Sequence, residues 1–277
     1  MDFRSPIELG RTGLKIGRLG IGASYGASAS SLEAAFEQGL NYFYWGSRRH
    51  AHMASAIRSI ARRGRDRLVV AVESYSRVAA LVPYSVESAL KRLSLDYAEI
   101  LIMGWFDKPP HPRLIEAAQR LKERGLIRFL AISCHNRPTF QTYIRQGLFD
   151  ILMVRYNAAH RGAEKEVFPY LPRENSPGVT CYTATRWSHL CRPSLTPAGL
   201  PTPRGSDCYR FVLTHPQVHL CMTGPKNDAE MKEALLTLER GPMSEDELAW
   251  MRQVGDYIHA HVPFFLPIKL PFAISSH

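Results

Sequence analysis

Short apolar runs alternate with amphipathic stretches along almost the whole chain. The runs at residues 19–22, 42–44, 68–72, 100–103, 129–133, 151–155, 179–183 and 218–223 lack strict alternation, as strands covered on both faces do. Apolar residues recur at helical spacing over 31–38, 53–61, 85–93, 114–123, 139–145, 165–171, 207–214 and 228–239. Eight strand–helix units with helical crossovers predict an α/β fold, a (β/α)8 TIM barrel with residues 1–277 as one domain. A doubly wound sheet is the competing arrangement, but no Gly-x-Gly-x-x-Gly follows any of the apolar runs.

Two segments lie outside the repeat, and one long loop lies within it. Residues 7–9 and 14–16 flank GRTG and predict an N-terminal hairpin that plugs the barrel bottom. Ser244 and Glu247 form a capping-box pattern that opens an extra C-terminal helix over 244–261. Residues 191–205 carry four prolines and no periodicity, which predicts a long loop after the seventh strand, on the side where barrel sites are built.

Composition narrows the class. In 277 residues, 45% are apolar, 22% are charged, and there are 19 glycines and 19 prolines, which excludes a disordered or collagen-like chain. The five cysteines are never closer than ten positions apart, so neither a zinc ribbon nor an iron–sulfur site is expected and no metal is assigned. Their odd number predicts reduced thiols in a cytoplasmic protein. The first residues, MDFRSPIELGRTG, have no signal-peptide pattern, and the apolar tail is interrupted by Pro263, Pro267 and Pro271, so no membrane span is expected. A net charge of +10 is compatible with nucleic acid, anionic lipid or a small anionic ligand. The one dense basic run, 61–67, follows a helical pattern and reads as a solvated face, against nucleic acid. The oligomeric state is left open.

Several motifs resemble the aldo-keto reductase superfamily. They are LGRTGLKIGRLGIG at the start, EQGLNYF before the second strand, LKRLSLDYAEILI before the fourth and LIRFLAIS at the fifth. FDILMVRYN at the sixth and HPQVHLCMTGPKNDAEMKEAL at the eighth complete the series in the same order. The resemblance implies a barrel that binds NADPH at the C-terminal mouth of the strands and reduces carbonyls.

The chemistry of that superfamily rests on Asp, Tyr, Lys and His, and this chain departs at all four places. Tyr44 stands where the resemblance implies Asp, Arg49 where it implies Tyr, Glu73 where it implies Lys, and Gly104 where it implies His, with Trp105 kept. Carbonyl reduction needs a proton for the developing alkoxide, and general-acid help of this kind contributes about 10²–10⁴ in rate, roughly 3–5 kcal/mol. A guanidinium at Arg49 keeps its proton at any working pH, and a carboxylate at Glu73 would raise, not lower, the pKa of a nearby phenol.

The cofactor positions are better kept. By the resemblance, Ser133 holds the carboxamide, Tyr182 stacks on the nicotinamide, Lys226 contacts the 2′-phosphate and Glu233 lies on the adenine side, with Ala234 and Cys134 replacing the usual Asn residues. A helix start beside a lysine is an anion site in its own right, so NADP(H) is the implied cofactor.

The strand ends carry a new polar set. Tyr44, Arg49, Glu73 and His135 are the candidate catalytic residues, and Trp105, Arg155, Arg186 and Trp187 the candidate substrate-binding residues; Arg48, His50, Asn157, His160 and His189 have weaker claims. Arginines at a closed mouth favour a small anionic substrate. Glu73 as base with His135 or Tyr44 as acid would run an elimination, dehydration or isomerisation, Arg49 steadying the oxyanion. Two alternatives remain: an NADPH-dependent oxidoreductase whose proton donor has moved to Tyr44 or His135, and a non-catalytic nucleotide- or partner-binding protein. The aromatic tail (Phe264, Phe265, Phe272) is expected to cover the mouth or to make a dimer contact.

Overall fold

The computed structural model describes residues 2–22, 26–46 and 49–262. A hairpin of β1 (Ile7–Glu8) and β2 (Lys15–Ile16) precedes eight barrel strands. These are β3 (Leu19–Ile21), β4 (Tyr42–Trp45), β5 (Val69–Ser74), β6 (Ala98–Met103), β7 (Ile127–Ser133), β8 (Ile151–Arg155), β9 (Gly178–Tyr182) and β10 (Leu220–Thr223). Each is parallel to its neighbours, and β10 closes on β3. Around them run α1 (Ala29–Glu37), α2 (Ala51–Gly64), α3 (Leu81–Leu93), α4 (Pro112–Glu123), α5 (Thr139–Gln146), α6 (Ala163–Glu166), α7 (Gly205–Thr214) and α8 (Asp228–Arg240). The extra helix α9 (Glu245–His261) follows, with the expected reciprocal cap: Ser244 Oγ accepts from Glu247 N at 3.2 Å, and Ser244 N donates to the Glu247 carboxylate at 2.9 Å.

Strand alternation divides the apolar residues between two cores. Phe43, Trp45, Val70, Val72, Leu101 and Ile132 face the helices, while Tyr42, Tyr44, Ala71, Ile100, Ile102 and Met153 fill the barrel. Leu9, Leu14 and Ile16 of the hairpin join the interior cluster, so the hairpin seals the barrel from below. Gly10 allows this approach: it has φ +52°, and a Cβ there would lie 2.2 Å from Gly178 N.

Helix boundaries differ from the periodic pattern where proline intervenes. The helix expected over 165–171 is one α-turn, Ala163–Glu166, followed by a 3₁₀ turn at Phe168–Tyr170, because Pro169 has no N–H for the ladder. In α3 the chain turns helical at Leu81, earlier than expected, since Pro83 sits in the first turn where its missing donor costs nothing. The proline-rich loop after β9 carries two 3₁₀ turns, His189–Cys191 and Pro193–Leu195. Within the basic run, Arg63 meets Glu33 at 2.9 Å and Arg65 meets Glu99 at 2.8 Å. Among the described residues, no helix is long and apolar enough to cross a membrane and no group of three His, Cys, Asp or Glu is placed to hold a metal. Arg48 and the aromatic tail with Phe264, Phe265 and Phe272 lie outside the described residues.

Candidate functional site at the barrel mouth

Period-two alternation points Tyr44 of β4 and Glu73 of β5 into the barrel near its C-terminal rim. The Tyr44 phenol donates a short hydrogen bond to the Glu73 carboxylate. Tyr75, just past β5, brings a second phenol 3.3 Å from the Tyr44 hydroxyl, and it also hydrogen-bonds Glu73. Two phenols thus converge on one carboxyl group that is 2% exposed. Burial pushes the Glu73 carboxyl up to about 7, against a smaller opposing effect of the Tyr75 hydrogen bond. Tyr75 is 38% exposed and Tyr44 5%, so Tyr75 is the phenol open to the mouth.

Arg49 does not pair with this carboxylate. Its Nη2 donates to the main-chain oxygen of Glu73 at 3.0 Å and its Nε to Gly46 O at 2.9 Å. The guanidinium is a strap on the strand ends, because the carboxyl group turns inward while the carbonyl faces the loop. The Arg49 charge still lies within electrostatic range of Tyr75.

Two glycines make room for the cluster. A Cβ on Gly104 would lie 2.5 Å from the Tyr75 ring and 2.6 Å from Glu73 Oε1, so these groups fill the space a side chain at 104 would take. On Gly46 a Cβ would lie 1.9 Å from the Tyr44 ring. Sequence reasoning missed Tyr75. The available signal was parity: residues 73 and 75 share a strand face, so an inward Glu73 at a strand end brings Tyr75 with it.

On the next rim segment, Tyr75 packs edge-on against Trp105 with ring centroids 5.4 Å apart, and His135 lies 5.2 Å beyond Trp105. Trp105 has φ +58° and is 55% exposed. Its N–H donates to the buried Ser133 hydroxyl at 2.9 Å, which fixes the turn after β6. Asp107, also missed, accepts from His135 N at 2.6 Å and Asn136 N at 2.9 Å, and holds the loop after β7. Burial and the Arg155 charge lower the His135 pKa, favouring its neutral form. Arg155 and Tyr182 are cross-strand neighbours at the ends of β8 and β9. The Tyr182 hydroxyl is buried and has no hydrogen-bond partner among the described residues.

The other predicted residues lie elsewhere or serve the backbone. Asn157 donates to Thr183 O at 2.8 Å and accepts from Ala159 N and His160 N, which stitches loops together. Burial, then the nearby arginine charges, push His160 down to about 3. Arg186, in the loop after β9, turns its side chain inward: it is 1% exposed and donates to Ile258 O at 2.8 Å and Val262 O at 2.6 Å, capping the end of α9. Trp187 next to it is exposed, and five of the seven described non-glycine residues with positive φ (Trp105, Thr183, Arg186, Trp187 and Ser188) lie at the mouth. Lys226 donates through Nζ to Ser188 Oγ at 3.3 Å, tying the start of α8 to that loop. Glu233 accepts from Ser206 Oγ at 2.6 Å and so braces α7 against α8.

Comparison with known proteins agrees with this architecture. An aldo-keto reductase from Bacillus halodurans in its holo form superposes with a TM-score of 0.76, at 21% identity over 91% of this chain and 96% of that one. An aldo-keto reductase from Klebsiella pneumoniae in complex with NADP and acetate gives 0.74 at 20% identity over 91% and 96%. Among curated sequences, L-galactose dehydrogenase of Arabidopsis thaliana is 28% identical over 223 residues, 70% of this chain and 67% of the plant protein. NADH-specific methylglyoxal reductase of Escherichia coli is 28% identical over 102 residues, covering 35% of this chain and only 31% of that enzyme. No family model matches the chain. The fold is that of the aldo-keto reductases over nine-tenths of the chain.

Proposed function

We propose that the chain is a nicotinamide-dependent oxidoreductase that reduces a carbonyl group, with its proton donor relocated to the Tyr44–Glu73–Tyr75 cluster. The observation that carries this reading is the convergence of two phenols on a buried carboxyl group poised near neutrality. A phenol beside a carboxylate is a poor acid, but beside a neutral carboxyl group it is not penalised. With Glu73 protonated, Tyr75 gives its proton to the substrate oxygen and is reprotonated through the carboxyl group, with Tyr44 holding the carboxyl in place. The nearby Arg49 charge favours the phenolate as it forms. His135, packed at a tilt beyond Trp105, is the other candidate donor, but it is a full ring further from the carboxyl group.

The residues present fit the implied cofactor. The Tyr182 hydroxyl, without a partner among the described residues, and the Ser133 hydroxyl, which accepts from Trp105 N and keeps its own hydrogen to donate, would hold the nicotinamide end. Lys226 and the start of α8 would meet the phosphates, with Glu233 on the adenine side. When bound, NADP(H) would supply the hydride. The superposing Klebsiella pneumoniae protein carries NADP, and the curated relatives are a reductase and a dehydrogenase. The competing expectation, elimination or isomerisation of an anionic substrate, has no counterpart among them and gives way to reduction. The particular carbonyl compound, small and held near Arg155, Trp105 and Trp187, is left to a substrate panel.

Titration of NADPH and NADH against tryptophan fluorescence, followed by turnover on carbonyl compounds, tests the proposal. The expected result is binding plus turnover, with Tyr75→Phe lowering kcat about a hundredfold at unchanged cofactor affinity. Absence of binding by either nucleotide would overturn it.

A further inference from the structure

Two of the five thiols face each other outside the mouth. Cys191 ends the first 3₁₀ turn of the loop after β9, Cys208 lies in α7, and their sulfurs are 3.7 Å apart. That is van der Waals contact; closing it to a bond needs a shift of about 1.7 Å. The loop that carries Cys191 consists of short turns and prolines with no strand or long helix to resist such a shift. Cys191 is partly exposed, whereas Cys208 is buried behind it.

We propose that Cys191 and Cys208 form a reversible thiol-oxidation site that takes a small-molecule disulfide such as glutathione disulfide. The Cys191 thiol loses its proton and attacks one sulfur of the reagent. The reagent's S–S bond breaks, one thiolate leaves and takes up a proton, and a mixed disulfide forms on Cys191. Cys208 then loses its proton and attacks Cys191 Sγ, which expels the second thiolate, itself protonated in turn. Two protein thiols give up two electrons and two protons, and the reagent disulfide is reduced to two thiols.

The order of attack follows from exposure. Only Cys191 is open to a reagent, and the Cys208 thiol is held up chiefly by its contact with Cys191 and then by burial. Capping Cys191 removes the larger of these causes at the moment Cys208 must ionise. Cys181 and Cys221, neighbours across β9 and β10, are fully buried and pushed up by burial, and Cys134 is also buried. Closure would bind the loop bearing Trp187 and Ser188 to α7, and through Ser188 reach Lys226.

The test is incubation of the full chain with glutathione disulfide, alkylation, and non-reducing peptide mapping. Wild-type protein is expected to lose two of its five thiols and yield a Cys191–Cys208 cross-link that dithiothreitol reverses. Cys208→Ser should stop at a stable glutathione adduct on Cys191. A cross-link between Cys181 and Cys221, a wild-type protein that also stops at the mixed disulfide, or a folded chain that keeps all its thiols would each overturn the proposal.

Discussion

Glu73→Gln offers the sharpest probe of the mouth, because it separates the ionisation of one buried carboxyl from everything else. Folding moves this carboxyl from 4.5 to about 7, so the native state binds its proton more tightly than the unfolded chain does. The group's contribution is therefore most favourable below pH 4.5, falls as pH rises, and levels off above about 7. At 1.36 kcal/mol per tenfold change in proton affinity, wild-type protein should lose roughly 2.5 kcal/mol of stability between pH 5 and 8 from this site alone. Histidines whose pKa is lowered by burial, His135 and His215 among them, act in the opposite sense over part of that range. They are common to both proteins, so the wild-type minus variant difference isolates Glu73. The glutamine amide has the size of the carboxyl and still accepts hydrogen bonds from both phenols. Urea unfolding at half-unit pH intervals provides the readout. A difference that is flat from pH 5 to 8 would show that Glu73 is not buried against ionisation, and the proton-relay reasoning would go with it.

Turnover should report the same group. Activity should fall as pH rises through about 7, when Glu73 ionises, and Glu73→Gln should abolish that limb together with most of kcat. In Tyr75→Phe the limb should move to higher pH, since the Tyr75 hydrogen bond lowers the Glu73 pKa; pH–rate profiles decide. Gly104→Ala should expel the Tyr75 ring from its place 2.5 Å away, costing about 1–3 kcal/mol in urea unfolding and reducing turnover. Arg186→Met should lose about 2–4 kcal/mol, because two carbonyls at the end of α9 lose a charged, buried donor; urea midpoints and proteolysis near residue 258 would register it.

The barrel was legible because each layer leaves a periodic trace. Strands buried on both faces read as uninterrupted apolar runs, and α2 or α4 carries its apolar stripe at helical spacing, so position along the chain sufficed. The hairpin was legible through GRTG, and α9 through Ser244 and Glu247. The site was legible only in part. That Tyr44 and Glu73 point inward follows from strand parity, but their mutual contact depends on the stagger of β4 against β5, which no local pattern encodes. Tyr75 was not legible because it lies one residue past the end of β5, outside the apolar run that marks the strand. The partners of Arg186 were not legible, because its sequence neighbours are loop residues while the carbonyls it binds, at and just past the end of α9, are more than seventy positions away.

The close filling of the space around position 104 also limits how this protein could change. A histidine introduced there, where the resemblance implies one, would have to enter space already held by the Tyr75 ring and the Glu73 carboxyl. Gly104→His is thus out of reach as a single substitution: Tyr75 must yield first, and the proposed proton donor would be forfeited before another took over. Descendants of this sequence are expected to retain glycine at 104 and tyrosine at 75 as a linked pair, or to lose both together.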